Sequence, residues 1–302
     1  MSYRGDHNYL LKNTKFTDHI GVDFNEYSNE DLVKLWKETL ENGMHGLCFS
    51  MYEDGQEPGD IITEAQVERR VKIIEPYTKW VRSFSCIEGN EHIPPIAHKH
   101  GLKTLVGAWL GDDKEDNEKE IEGLIRLGKQ GFIDIAAVGN EVLYRNDLSL
   151  DELLGYIKRV KDALPDIPVG YVDAYYEFSK HPELVDISDV ILSNCYPFWE
   201  GCSIEDSLNH MQQMFGQATQ ASKGKKVIIT ETGWPSQGEN LKGAFPSAES
   251  ALKYFINSQV WSAKANIDMF YFSSFDESWK VGDEGDVGAY WGLWDKAEKL
   301  KF

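Results

Sequence analysis

The sequence predicts an α/β fold, a single (β/α)8 TIM barrel of eight parallel strands surrounded by helices. The chain has 302 residues, which is long for an ordinary domain but suits such a barrel, typically about 250 residues. Apolar runs alternate with amphipathic helical segments throughout. No Gly-x-Gly-x-x-Gly run follows the first strand, which disfavours an open dinucleotide-binding sheet.

Eight apolar runs are predicted to be the barrel strands, because short β-branched runs are typical of buried parallel strands. They cover residues 46–51, 80–86, 103–110, 135–138, 168–172, 190–195, 227–230 and 269–275. Between them, apolar residues recur at helical spacing. In residues 31–42, for example, Leu32, Leu35, Trp36 and Leu40 share one face. The other predicted helices cover residues 65–79, 117–129, 150–163, 204–221 and 247–263.

The domain organisation follows from the same pattern. Residues 1–20 are polar and irregular and are predicted to be an N-terminal tail, whereas residues 21–302 form one domain with no internal linker. Two long irregular stretches, 53–63 and 277–290, each follow a strand. They therefore belong to the barrel face that carries active sites. We expect them to wall a cleft, and mobile surface loops are the alternative.

Composition restricts the partners. Hydrophobic residues make up 41% and charged residues 27% of the chain, so a large core is available and global disorder is excluded. The formal net charge of −19 argues against nucleic acid, whose phosphates require a basic surface. It also disfavours anionic membranes and acidic polysaccharides. A neutral polymer fits this charge, and a monomer is expected.

The four cysteines are Cys48, Cys86, Cys195 and Cys202, too few and too scattered for a disulfide framework. They are interpreted as buried thiols, with a bridge between Cys195 and Cys202 as the less favoured alternative. No histidines have metal-ligand spacing. We therefore expect neither a metal nor a cofactor.

No apolar stretch approaches the ~18 residues of a membrane span. Residues 1–11 lack the hydrophobic core of a signal peptide. The protein is expected either to be cytoplasmic or to have a leader that is missing from this sequence.

Two glutamates end buried strands in a similar way. Glu231 follows the run 227–230 and precedes Gly-Trp-Pro, and Glu141 follows the run 135–138 and Gly-Asn. The ends of well-separated strands can face one another across a barrel mouth. Two carboxyl groups about 5–5.5 Å apart would suit a retaining glycosidase, in which one is the nucleophile and the other the acid/base. Asn140 is suited to bind the sugar 2-hydroxyl.

Aromatic side chains recur directly after the predicted strands, where they are expected to form a sugar-stacking cleft. The candidates for substrate binding are Tyr52, Tyr144, Tyr175, Tyr196, Phe198, Trp234 and Trp279. Further aromatic residues at the same rim are Tyr176, Trp199, Phe275, Trp291 and Trp294. Trp234 is predicted to present a flat surface to a sugar ring.

Four segments resemble glycoside hydrolase family 17. The run IITETGWPS at 228–236 resembles its nucleophile segment, and VGNE at 138–141 resembles its acid/base segment. NCYPF at 194–198 and FDESWK at 275–280 are similar to its strand-six and strand-eight segments. The order and spacing agree from about residue 43 to Trp294. The short stretch after the sixth strand is more similar to bacterial and fungal members than to plant members.

The resemblance implies a (β/α)8 enzyme that cleaves β-1,3-glucan with retention of configuration. It implies that Glu231 is the nucleophile, that Glu141 is the acid/base and that Tyr196 steadies Glu231. Glu277 and Lys280 would form a charged pair near the nucleophile, either contacting sugar or only fixing the strand-eight loop. A polymeric substrate implies the periplasm or the exterior.

The leading prediction is an endo-acting hydrolase of laminarin-like glucans without a cofactor. A β-1,3-glucanosyltransferase on the same residues is the alternative, because a sugar hydroxyl can replace water. A non-catalytic glucan-binding barrel and a metal- or phosphate-dependent enzyme are weaker alternatives.

Overall fold

The computed structural model describes residues 21–302, so the predicted tail at 1–20 lies outside the described residues. Eight parallel strands pair in sequence order, and the eighth closes the barrel against the first. The predicted (β/α)8 barrel is therefore confirmed. The strands are β1 Met44–Cys48, β2 Thr78–Ser83, β3 Lys103–Ala108, β4 Ile135–Asn140, β5 Val169–Ala174, β6 Ile191–Asn194, β7 Val227–Thr232 and β8 Met269–Tyr271.

Helices surround the barrel, and one of them, α1, precedes β1. The helices within the described residues are α1 Asn29–Glu41, α2 Glu64–Ile74, α3 Ile93–Lys99, α4 Lys114–Lys129, α5 Val142–Arg145, α6 Leu150–Ala163, α7 Glu177–Lys180, α8 Pro182–Ile187, α9 Ser207–Ala221, α10 Ala248–Ala265 and α11 Val281–Glu284. The predicted long helices agree with α1, α2, α4, α6, α9 and α10. The shortest helices span a single turn, too few residues to show a periodic pattern.

Local chemistry determines where the long helices begin. The side chains of Ser28, Thr63, Ser149 and Ser247 each accept a hydrogen bond from a backbone N–H of the first turn. Such caps satisfy donors that have no partner within the helix. Helix α2 ends at Ile74 rather than residue 79 because Pro76 interrupts it.

The last predicted strand was too long. Residues 269–275 were expected to be extended, but β8 ends at Tyr271, and a cis peptide bond joins Phe272 to Ser273. The backbone N–H of Ser273 donates to the carbonyl of Trp291 at 3.1 Å. This segment therefore pairs with a later part of the chain, while Phe272 N–H and Ser274 N–H still donate to the carbonyls of Thr232 in β7 and Cys48 in β1.

Pairing irregularities occur near the carboxyl ends of β4, β6 and β7. The register shifts between Ala137 and Asn140 on β4, between Ser193 and Asn194 on β6, and between Ile229 and Thr232 on β7. Irregularities of this kind redirect side chains and are common beside active sites. Of these strands, β7 contains Glu231 and β4 directly precedes Glu141.

The interpretation of the cysteines as thiols is confirmed. All four lie within the described residues and are free, and Cys48, Cys86 and Cys195 are buried. Cys48 is in β1, and its Sγ lies 3.4 Å from the carbonyl oxygen of Thr230.

None of the helices within residues 21–302 is both long and apolar enough to cross a membrane.

The contact between α1 and α10 generates a prediction about stability. Trp36 is fully buried, and its ring centroid lies 5.6 Å from that of Phe255. Because Trp36→Ala leaves a large cavity, we expect it to lower the free energy of unfolding by about 3–5 kcal/mol in urea titrations. The control is Tyr27→Ala at a half-exposed ring. Equal unfolding midpoints for the two variants would contradict this packing.

Candidate active site

Glu141 and Glu231 line the same cavity at the mouth of the barrel. Glu231 belongs to β7, and Glu141 directly follows β4. The cavity has a volume of about 450 Å³, which suits a small-molecule or sugar site. Its walls include Pro58 from the loop at 53–63 and several residues of the loop at 277–290. Both long loops therefore contribute to the cleft wall.

Glu231 has a cationic and a phenolic partner. The Tyr196 hydroxyl donates to Glu231 Oε2 at 2.8 Å, and Arg82 Nη1 donates to Glu231 Oε1. Arg82 also donates through Nη2 to Asn140 Oδ1 at 2.8 Å. Arg82 and Glu231 are both buried. A guanidinium ion and a phenol thus hold both carboxylate oxygens in a fixed orientation.

Glu141 is held by an amide. Asn194 Nδ2 donates to Glu141 Oε1 at 2.7 Å, and Asn194 Oδ1 accepts from the Thr230 hydroxyl at 2.8 Å. The Glu141 backbone is left-handed, with φ at 53°, which is uncommon for residues other than glycine and is concentrated at functional sites. Asn194 therefore connects Thr230 in β7 to the side chain of Glu141.

The surroundings of Glu141 favour its protonated form. Removal from bulk water is the largest cause that raises the pKa of Glu141 well above its usual value, and the charges of Glu231 and Asp173 raise it further. The hydrogen bond from Asn194 and the charge of Arg145 act in the opposite direction. A carboxyl group that keeps its proton near neutral pH is suited to general acid catalysis.

A second buried carboxyl lies behind this segment. Burial is the largest cause that raises the pKa of Asp173 to about 7. The Tyr171 hydroxyl donates to Asp173 Oδ2 and accepts from the backbone N–H of Leu143 at 3.0 Å. These contacts attach the short helix α5, which follows Glu141, to strand β5.

Glu277 and Lys280 form the predicted charged pair. Lys280 Nζ lies 2.7 Å from Glu277 Oε2, and both side chains are buried. Glu277 Oε1 also accepts from the backbone N–H of Tyr52 at 3.1 Å. Burial alone would lower the pKa of Lys280, but the charges of Glu277 and Glu284 more than compensate. The pair fixes the strand-eight loop against the loop after β1 and also lines the cavity.

The aromatic candidates divide into two groups. Tyr52, Tyr196 and Trp279 line the cavity together with Asn140, Glu277 and Lys280. Trp234 does not line it. Its ring is 1% exposed, and Nε1 donates to the carbonyl of Phe245 at 3.1 Å. The expectation that Trp234 offers a stacking surface to sugar was wrong, because the residue packs against Phe198 and Tyr254.

Three other candidates also lie outside the cavity wall. Phe198 is fully buried. Tyr175 is 2% exposed, and its hydroxyl donates to Glu200 at 2.9 Å. Tyr144 is partly buried close to Glu141. Burial is the largest cause that raises the pKa of Tyr144, and the charge of Glu141 is the next. The position of an aromatic residue directly after a strand therefore did not predict whether its ring faces the cleft or the core.

Sequence reasoning also missed residues that the structure brings to the site. Arg82 contacts Glu231, and Asn194 contacts Glu141. Asn194 stands in the quoted NCYPF segment, whereas Arg82 lies in an apolar strand, where a charged residue with no local partner could have drawn attention. Further cavity residues include Phe84, Trp109, Glu120, Trp199 and Phe272.

Within the described residues, no group of three or more His, Cys, Asp or Glu side chains is arranged to hold a metal ion. The chemistry available at this site is that of two strand-end carboxyl groups with different surroundings, set in an aromatic and polar cleft. A barrel with such a pair defines a glycosidase-type active site.

Comparison with known proteins agrees with this class. The family model for the BtgE/BtgC glycoside hydrolase domain matches residues 46–292. The chain therefore belongs to this family of glycoside hydrolase domains, and the predicted link to family 17 is confirmed.

Individual relatives cover most of the barrel. A glucan 1,3-beta-glucosidase of Saccharomyces cerevisiae is 26% identical over 81% of this chain and 86% of its own length. A putative glucan endo-1,3-beta-glucosidase of Aspergillus niger is 31% identical over 66% of this chain and 33% of its own. Among solved structures, the family 17 beta-1,3-glucanosyltransferase of Rhizomucor miehei has a TM-score of 0.77 and 29% identity, covering 86% of this chain and 96% of its own. An active-site mutant of that enzyme was solved in complex with laminaritriose.

The Arg82–Glu231 pair generates a second stability prediction. Arg82→Met leaves the buried Glu231 carboxylate without its guanidinium partner, so we expect the free energy of unfolding to fall by about 3–5 kcal/mol in denaturant titrations. The double variant Arg82→Met/Glu231→Gln removes the charge and should recover part of the loss. Arg69→Met, which breaks ion pairs of a half-exposed arginine, is the matched control and should have a small effect. A double variant no more stable than Arg82→Met would contradict the proposed charge pairing.

Proposed function

We propose that this protein is a retaining, endo-acting hydrolase of β-1,3-glucosidic bonds in β-1,3-glucans such as laminarin. The observation that carries the proposal is the pair Glu141 and Glu231 in one cavity, where the first favours its protonated form and the second has a cationic partner. The names of the yeast, Aspergillus and Rhizomucor relatives support β-1,3-glucan as the substrate class.

In the first step, the Glu231 carboxylate attacks the anomeric carbon and forms a glycosyl ester as the glycosidic C–O bond breaks. Glu141 gives its proton to the departing oxygen, so the leaving sugar departs as a neutral alcohol. Tyr196 and Arg82 orient the two oxygens of Glu231. Asn140, beside Glu141, is proposed to bind the sugar 2-hydroxyl as charge develops.

In the second step, Glu141 is a carboxylate and acts as a base. It takes a proton from a water molecule, whose oxygen attacks the anomeric carbon and releases Glu231. The proton returns to Glu141, and two inversions give net retention. The left-handed backbone at Glu141 and the hydrogen bond from Asn194 hold the carboxyl group in place for both steps.

The shape of the cleft supports attack within a chain. The cavity wall includes Pro58 from the loop after β1, Trp109 from the loop after β3 and Trp199 from the loop after β6. A cleft that continues past the catalytic pair can hold several consecutive glucosyl units. Such a polymer does not cross a membrane, so we expect the protein to act in the periplasm or outside the cell. The monomeric state stays a prediction.

Transfer of the glycosyl group to a sugar is the second candidate function. The Rhizomucor enzyme, to which this chain is 29% identical, is described as a glucanosyltransferase. Both reactions use the same covalent intermediate and differ only in whether water or a sugar hydroxyl attacks it.

Product sizes distinguish these two functions. If water is the main acceptor, laminari-oligosaccharides incubated with the protein should give only products shorter than the substrate. The measurement is chromatographic sizing of the products over time, with a linear and a β-1,6-branched glucan as further substrates. Products longer than the starting oligosaccharide would establish transfer instead.

The roles of the two carboxylates can be assigned from product stereochemistry. Glu231→Ala should abolish turnover because no covalent intermediate forms, and azide should then attack from the vacated face to give an α-glycosyl azide. Glu141→Ala should retain more activity on an activated aryl glycoside, whose leaving group needs no proton, and azide should give the β-product. NMR of the azides is the measurement. Exchanged stereochemistry would reverse the assignment, and full activity in both variants would move the active site elsewhere.

A further inference from the structure

Trp109, in the loop after β3, is an exposed aromatic side chain within the cleft. It is 43% exposed and lines the same cavity as Glu141 and Glu231. The other large hydrophobic side chains that are this exposed within the described residues are Tyr27, Ile61, Phe245 and Val281, and none of them lines the cavity. Leaving an indole in contact with water forgoes the free energy gained by burying it. The exposed indole is therefore available to a ligand that enters the cleft.

The ring is supported by a cation. The guanidinium carbon of Arg145 lies 4.6 Å from the centroid of a Trp109 ring, within the range of a cation–π contact. Arg145 itself is immobilised, because its side chain is 7% exposed. It donates to the carbonyls of Leu110, at 2.7 Å, and Asn140, and to Asp147 at 2.6 Å. A ring supported in this way loses little conformational freedom when a ligand stacks on it.

The backbone of Trp109 is also held in place. The carboxyl group of Glu120 accepts from Cys86 N–H at 2.8 Å, and the backbone of Trp109 is close enough to lower the pKa of this group, although burial raises that pKa to about 7. The Ser85 hydroxyl donates to the same carboxylate. Glu120 is buried in helix α4, so one side chain connects the loops after β2 and β3. The position of Trp109 relative to the rest of the cleft is thereby fixed.

We propose that Trp109 is the stacking surface of a binding subsite for a glucosyl unit remote from the bond that is cleaved. The inference rests on the proposed function. The apolar C–H face of a β-linked glucose ring matches an exposed indole, and stacking removes both surfaces from water. Occupancy of this subsite requires a chain long enough to reach it from the catalytic carboxylates. Trp109 therefore determines preference for chain length and takes no part in bond cleavage.

The experiment compares a short with a long substrate. In the unaltered protein, kcat/KM should be higher for laminarihexaose than for laminaritriose. Trp109→Ala should lower kcat/KM for the hexaose roughly tenfold, as expected for the loss of an aromatic contact. The value for the triose should change little. Trp109→Phe, which keeps an aromatic face, should retain most of the gain. Phe245→Ala is the matched control, because it removes an exposed ring that lies outside the cavity wall.

Binding without turnover provides a second measurement. Calorimetric titration of laminarihexaose into Glu231→Gln and into Glu231→Gln/Trp109→Ala should show weaker binding in the double variant. If Trp109→Ala keeps the full gain with chain length, or loses activity equally on both substrates, the subsite is refuted while the hydrolase function stands. If the unaltered protein neither cleaves nor binds laminarihexaose, the proposed function fails and the subsite with it.

Discussion

The active site depends on one buried cation, Arg82, which is 2% exposed. Its guanidinium group donates to the carbonyl of Thr230 at 3.1 Å, to the carboxylate of Glu231 and to the amide oxygen of Asn140. A buried guanidinium is tolerated only where acceptors surround it. Strands β2, β4 and β7 must therefore end at matching heights for Nη1 and Nη2 of Arg82 to reach these acceptors. This requirement also places Glu231 relative to Asn140, the residue before Glu141.

The same interaction makes the two carboxylates different. Arg82 and Tyr196 both contact Glu231, whereas the neutral amide of Asn194 donates a hydrogen bond to Glu141. Two like charges in one cavity oppose each other, and the charge of Glu231 is among the causes that raise the pKa of Glu141. The different surroundings of Glu231 and Glu141 follow from which side of the barrel mouth carries the arginine.

The sequence allowed the barrel and the presence of Glu141 and Glu231 in one cavity to be predicted because both depend on local patterns. Apolar runs specify the strands, and Glu141 and Glu231 stand directly after such runs. The cleft wall depends on which way each side chain points once the loops have folded. Trp234 and Trp109 both follow strands, yet the first packs in the core and the second faces the cleft. Long-range hydrogen bonds such as Arg82 to Asn140 have no counterpart in local sequence and could not be predicted.

The buried thiol of Cys48 has a consequence for chemical reactivity. Its Sγ lies 3.4 Å from the carbonyl of Thr230, the residue before Glu231, and burial raises the pKa of Cys48 to about 12. Only a thiolate reacts readily with alkylating reagents, so the native protein shields this sulfur both sterically and electrostatically. Cys48 can react only when β1 and β7 separate far enough to admit the reagent. The rate of Cys48 alkylation therefore reports how often β1 and β7 separate next to Glu231.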